Sequence, residues 1–259
     1  MIDKTKNESE KNTGTKGEDI IAGRNAVNEA LRSGRTIDSL YVVRGQKTGS
    51  LTALIAKAKQ KDITIKEADA KKLDFMCGNA NHQGVVAVAA IKEYADLDDI
   101  FQLAQSRGEA PFIIICDELE DPHNLGAVIR SAEAGGAHGI IIPKRRNASL
   151  SYTVGKASAG ALEYLPVARV SNLVSTIRDL QKAGVWVFGT AADGDTGLYA
   201  ADLKGPAAIV IGNEGAGMSR LVSEACDFKV SIPMHGRISS LNASNAAAIL
   251  LYEAVRQRG

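Results

Sequence analysis

Residues 111–143 read PFIIICDELEDPHNLGAVIRSAEAGGAHGIIIP, and the fold is decided in this stretch. FIIIC and GIIIP are unbroken apolar runs of strand length, without the alternation of a half-exposed strand, which is the signature of strands buried on both faces. Between them Leu125, Val128, Ile129 and Ala132 recur at i, i+3, i+4 and i+7, the buried stripe of a helix. A strand that breaks into a polar turn and then a small-residue helix announces a nucleotide site. The turn EDPHNLG nevertheless lacks the phosphate-cradling glycines, and Asn124 and Arg130 stand where a dinucleotide loop uses bare backbone.

The same alternation continues to the end of the chain. Strands are expected at LPVARV, VWVFGT, AAIVIG and FKVSIP, with helices at TVGKASAGALEY, NLVSTIRDLQKAG and LNASNAAAILLYEAVRQ. The fold class is therefore α/β, a parallel sheet covered on both faces, with ligands expected beyond the carboxyl ends of its strands. Upstream, a helix in IAGRNAVNEALRSGR, a strand SLYVV, a helix LTALIAKAKQKD and strands ITIKEA and VVAVAAI form a smaller α/β unit. The expected layout is a polar, disordered tail over 1–18, a first domain over 19–92, a linker over 93–110 and a second domain over 111–259. The polar, Gly- and Pro-terminated character of KEYADLDDIFQLAQSRGEAP suggests the linker.

Composition narrows the classes. Hydrophobic content of 45% and charged content of 24% are ordinary for a globular protein, and no apolar run approaches a membrane span. The first residues lack the apolar core of a signal peptide, and three widely spaced cysteines fit no metal or redox motif. Reduced thiols and a cytoplasmic location follow as expectations. A net charge of +1 does not mark a nucleic-acid binder, although a local cluster such as Lys144, Arg145 and Arg146 can attract phosphate on a neutral chain. A three-charge cluster alone is more often just a solvated loop.

Three loops at strand ends carry the candidate chemistry. In the first, Asn124 has the position of a helix N-cap and Arg130 lies off the buried stripe, so a capped helix with an exposed arginine competes with a phosphate-gripping guanidinium. In the second, IVIGNEGAGMSRL, Gly212, Gly215 and Gly217 permit positive φ or close approach, and Glu214 is either a solvated turn residue or a carboxylate aimed into a site. In the third, SIPMHGRISSLNASNAAAILLYEA, Ser240 and Asn242 are caps or site groups at the head of a small-residue helix. Gly189 and Thr190 close another strand whose following loop can floor a flat ring.

Taken together, DPHNLGAVIRSAEAGGAHGIIIP, IVIGNEGAGMSRLV and IPMHGRISSLNASNAAAILLYEA resemble the three signature motifs of the SPOUT superfamily, in its SpoU or TrmH branch. Those are S-adenosylmethionine-dependent RNA 2′-O-ribose methyltransferases. GRNAV and HQGVVAVA resemble the ribosomal-protein-like RNA-binding domain of RlmB-type members, which methylate a guanosine of 23S rRNA. The resemblance implies a deep C-terminal trefoil knot, a homodimer with sites completed across the interface, S-adenosylmethionine as methyl donor, and no metal. It places Asn124, Arg130, Glu214, Ser240 and Asn242 at catalytic positions, and Thr190, Gly212, Ile232 and Leu241 at donor contacts. Arg24, Arg35, Lys144, Arg145 and Arg146 are the expected RNA contacts. The family assigns Arg130 as general base, whereas a guanidinium that stays protonated suits holding a phosphate. Asn245 departs from the family, which carries an apolar residue there. A tRNA substrate, or an inactive RNA-binding or ribosome-assembly factor on the same scaffold, are the alternatives. A dinucleotide oxidoreductase lacks its glycine fingerprint.

Overall fold

The structure, a computed structural model, describes residues 20–32, 35–46, 48–238 and 240–259. The tail expected over 1–18 lies outside the described residues. The chain divides into two compact units at Ala89 and Ala90.

In the first unit the order is β1 (Ile20–Ala22), α1 (Arg24–Arg32), β2 (Ile37–Val43), α2 (Gly49–Gln60), β3 (Thr64–Ala68), α3 (Ala70–Met76) and β4 (Val85–Ala89). The strands lie in the order β1-β4-β2-β3, with β4 antiparallel to β1 and β2 and β3 parallel to β2. Alternation along β2 sorts its side chains. Leu40 and Val42 pack with Val27 and Leu31 of α1 and with Leu51 and Leu54 of α2, while Tyr41 and Val43 face the cluster around Leu73 of α3. β1 and α3 extend the expected unit. Both are short, and β1 becomes a strand only through its pairing with β4.

The second unit contains α4 (Leu97–Arg107), β5 (Phe112–Cys116), α5 (Pro122–Ala134), β6 (Gly139–Pro143), α6 (Tyr152–Ala157), β7 (Val167–Val170), α7 (Leu173–Lys182), β8 (Trp186–Thr190), β9 (Thr196–Gly197), β10 (Ala207–Ile211), α8 (Arg220–Ala225), β11 (Phe228–Ser231) and α9 (Ala243–Arg258). Among the described residues its sheet runs β7-β6-β5-β10-β8-β11-β9, and every neighbouring pair is parallel. Phe112, Ile114 and Cys116 of β5 join a core with α5 and α9, while Ile113 and Ile115 join one with α7 and Ile100 of α4. Burying a side chain of this size stabilises by about 1.5–3 kcal/mol. The central strands thus hold both layers of helices.

Two expectations change here. Residues 93–110 are not a bare linker. Leu97, Ile100, Phe101 and Ala104 form the apolar face of α4, Ile100 fills the space beside Gly139, and Ala95 bridges Ala168 at the sheet edge. Asn124 is not the N-cap of α5: Asp121 is, accepting a hydrogen bond from His123 N at 2.9 Å, with Pro122 in the first helical position. All three cysteines are free thiols, and burial pushes Cys116 and Cys226 up to about 12.

His138 ties the start of β5. It is fully buried, its Nδ1 accepts from Phe112 N at 2.9 Å, and Nε2 lies 3.0 Å from Glu109 Oε2. Burial lowers its pKa from the usual 6.5, with the Glu109 hydrogen bond opposing in part. The unfolded chain therefore binds the extra proton below about 6.5, and the stability that the neutral ring supplies is lost as pH falls through that window. Thermal midpoints between pH 7.5 and 5.5 are expected to drop by a few degrees in the wild type and to vary less in His138→Gln. Parallel curves for the two proteins would refute this.

Candidate functional site

β5 and β6 lead outward in one direction and β8 in the other, with β10 inserted between β5 and β8. In a parallel sheet the crevice at such a reversal, beyond the carboxyl ends of the strands, is where ligands sit. A cavity of about 480 Å³ opens there, at the ends of β8, β10 and β11. Thr190, Gly212, Ile232 and Leu241, the four positions expected to contact a small molecule, all line it, as do Glu214 and Ser240. Ile211, Met218 and Val230 give it apolar walls. Among the described residues its charged lining is Asp193 and Glu214, both acidic, with neither Lys nor Arg. Thr190 donates its hydroxyl to Val210 O at 2.9 Å, bracing β8 against β10.

The turn 212–219 forms one side of the cavity. Gly217 has φ +69°, but Gly212 and Gly215 do not use positive φ. Gly212 is there for proximity: a Cβ on it would lie 2.3 Å from the backbone carbon of Gly217.

Beside the cavity the three loops meet. Asn242 Nδ2 donates to Asn124 Oδ1 at 3.0 Å, and the side-chain amides of both Asn124 and Asn242 donate to the same oxygen of Glu214. Asn242 is also the N-cap of α9, its Oδ1 accepting from Ser244 N at 3.0 Å and from Ser244 Oγ at 2.6 Å. The capping reading holds for this residue, and the same side chain also reaches Asn124 and Glu214. Asn124, in the first turn of α5, is buried, so its amide has no solvent to fall back on and is satisfied within the cluster. A carboxylate bonded by two amides is a rigid anchor, and it locks segments 90 and 118 residues apart.

Arg130 does not join this cluster. Six residues further along α5, it lies roughly 9 Å up the helix and on another face. It is exposed, lines no part of the cavity, and its side chain makes no hydrogen bond or ion pair among the described residues. Asn245 is exposed on α9, in line with the exposed Ile249 and Tyr252, so its amide has no burial penalty within this chain.

The expected RNA contacts are more varied. Arg24 is half-buried and partly engaged: Nε donates to Gln83 O and Nη1 to Ser50 Oγ, each at 2.9 Å. Arg35 and Arg145 are exposed, and Lys144 is half-buried. Arg146, at φ +55°, pairs with Glu118 at 3.0 Å. Sequence reasoning missed Asp117 and Asn213, which brace the turn 212–219 from below and within. The signal for the first was an acid directly after a fully apolar strand.

Two comparisons decide the family. Residues 111–252 match the SpoU rRNA methylase family, and residues 20–95 match the RNA 2′-O ribose methyltransferase substrate-binding family. The chain belongs to the SpoU rRNA methylase family. It is 49% identical over 240 residues to a Bacillus subtilis protein assigned to the TrmH family of tRNA/rRNA methyltransferases, YacO, covering 93% of this chain and 96% of that one. Among solved structures, the SpoU methyltransferase AviRb of Streptomyces viridochromogenes in complex with AdoMet is 31% identical, with a TM-score of 0.57 over 92% of this chain and 89% of that one. An AdoMet-bound rRNA methyltransferase of Sinorhizobium meliloti is 29% identical, with a TM-score of 0.56 over 92% and 86% of the two chains. This SpoU-family chain is thus an RNA methyltransferase by descent. Among its described residues no helix is long and apolar enough to cross a membrane, and no group of three His, Cys, Asp or Glu is placed to hold a metal ion.

Proposed function

We propose that this protein transfers a methyl group from S-adenosylmethionine to a ribose 2′-hydroxyl of RNA, a guanosine of 23S rRNA, in the cytoplasm. The charge of the cavity carries the donor assignment. Among the described residues the lining has two carboxylates and no cation, which repels the phosphates of a dinucleotide and suits a ligand bearing a sulfonium and an ammonium. Apolar walls suit the flat adenine, and the glycines of the turn let backbone approach it.

When bound, the donor supplies an electrophilic methyl. The chain's own residues do the rest. Glu214, anchored by Asn124 and Asn242, holds the donor turn in register with the heads of α5 and α9, and Ser240 faces the cavity rim. Arg130, whose guanidinium carries only donors, grips the RNA phosphate next to the reacting ribose through paired N–H groups and orients the 2′-hydroxyl, whose proton leaves to solvent as the oxygen accepts the methyl. Alignment of the hydroxyl with the methyl is the main source of rate.

Because Arg130 lies away from the cavity in its own chain, the site is completed by a second copy. The exposed line Asn245, Ile249 and Tyr252 on α9 forms the homodimer face. The threading of the C-terminal segment as a knot is supported by β10 lying between β5 and β8 and by the seat of Asn242 against Asn124. Arg24, Arg35, Lys144, Arg145 and Arg146 contact the RNA backbone. An rRNA target is supported by the alignment of both units with an rRNA methyltransferase.

Calorimetry with S-adenosylhomocysteine, then labelled methyl transfer to undermodified RNA, tests the reading. Saturable binding and label on a ribose 2′-oxygen are expected. Absence of donor binding would sink it. Binding without transfer to any RNA would favour an RNA-binding or assembly factor, and label on tRNA alone would overturn the rRNA assignment.

A further inference from the structure

Asp117 is the first residue beyond β5. Its backbone N–H donates to Ile211 O at 2.8 Å, where the donor turn begins, and its Oδ2 accepts from Ser219 N at 2.7 Å, where the turn ends. One residue, 3% exposed, therefore holds both stems of the turn. Asn213 fills the turn from inside. Its backbone exchanges two hydrogen bonds with Gly217, each 2.9 Å, and its Oδ1 accepts from Gly215 N at 2.9 Å and Ala216 N at 3.4 Å. Its Nδ2 donates to Glu118 O at 3.1 Å, a carbonyl presented by a backbone at φ +57°.

The chemical consequence is specific. The N–H groups of residues 215, 216 and 217, which in a phosphate-binding loop would point at the ligand, are all used within the turn. A turn closed on itself in this way offers shape and the Glu214 carboxylate, and it offers no anion nest. Residues 212–218 all line the cavity, so the bracing acts directly on the wall that faces the ligand.

We infer that Asp117 and Asn213 are positioning residues for the methyl donor, holding the 212–219 turn in its binding shape and keeping its N–H groups away from the ligand. The inference rests on the methyl-donor reading above. It predicts that the donor side of the reaction alone responds to them. In Asp117→Ala and Asn213→Ala, the donor KM and the dissociation constant for S-adenosylhomocysteine are expected to rise about tenfold, the scale of a lost buried hydrogen bond. The KM for RNA is expected to stay within about twofold. Asp117→Asn, which keeps an acceptor for Ser219 N–H, is expected to recover most of the donor affinity.

Steady-state kinetics in both substrates, calorimetry and thermal unfolding on the full chain test this together. Wild-type protein that binds no S-adenosylhomocysteine would overturn the donor reading itself. Wild-type binding with unchanged affinity in Asn213→Ala would overturn this inference alone. So would equal rises in both KM values with a lowered melting point, the pattern of general destabilisation. If Asp117→Ala does not fold, Asp117→Asn with donor affinity near wild type, alongside weakened Asn213→Ala, supports it. Failure of Asp117→Asn to bind donor while folded counts against it.

Discussion

Arg130→Ala is expected to lose methyl transfer by a factor of about 10²–10³ in kcat, the usual effect of removing one preorganised group that meets transition-state charge, with S-adenosylhomocysteine affinity unchanged. The two halves of this expectation come from separate observations. Arg130 lines no part of the donor cavity and makes no bond to the Asn124, Glu214 and Asn242 cluster, so the donor does not feel its loss. Its guanidinium is exposed and its side chain has no bonding partner among the described residues, so the free protein loses no contact either. Thermal unfolding of the variant should match wild type. Arg130→Lys separates the two roles open to the residue. Lysine keeps the charge but not the paired donors, so phosphate gripping predicts recovery of less than about a tenth of kcat. A lysine variant that kept most activity and the wild-type pH–rate profile would show that bidentate gripping is dispensable. An alanine variant with more than a tenth of wild-type kcat would remove Arg130 from the reaction.

The parts of the fold that the sequence made legible are those where burial is complete. FIIIC, GIIIP and AAIVIG are unbroken apolar runs because both faces of β5, β6 and β10 are covered, and their strand length separates them from a buried helix. The helix α4 was hidden by the opposite circumstance. Its Leu97, Ile100, Phe101 and Ala104 have helical spacing, but the acidic and amide residues of the exposed face lie between them and give the segment the polarity of a linker. β1 is three residues long and owes its state to β4, sixty-odd residues away, which no local period reports. At the site, each loop taken alone left a cap or turn reading and a site reading open. Asn242 caps through its Oδ1, and that reading left out its Nδ2 group, which donates to Asn124 and Glu214 across the fold. The convergence of those three residues came from resemblance to a family and not from any spacing. Asp117 and Asn213 escaped both routes, since their work is to hold backbone that other residues present to the ligand.

Gly212→Ala is expected to weaken S-adenosylhomocysteine binding by about 100-fold or more, because the added carbon has nowhere to go. It would meet Gly217 C at 2.3 Å, Met218 N at 2.4 Å and Gly217 O at 2.6 Å, all backbone atoms of the returning limb of the turn. A flexible side chain could swing aside, but backbone cannot without moving the Asn213 and Gly217 pair and the Asp117 bond to Ser219. Overpacking of this kind costs about 1–3 kcal/mol, so the melting point should fall by several degrees as well. The larger effect is on binding, since Glu214 and the cavity wall ride on the displaced limb. Gly197→Ala provides the comparison. Gly197 sits at φ −66° with no atom within 4 Å of its would-be Cβ, so the same methyl there should leave donor affinity and melting point as in wild type. Wild-type donor affinity in Gly212→Ala would mean that the turn opens without cost, and the close approach of residues 212 and 217 would then not be what shapes the cavity.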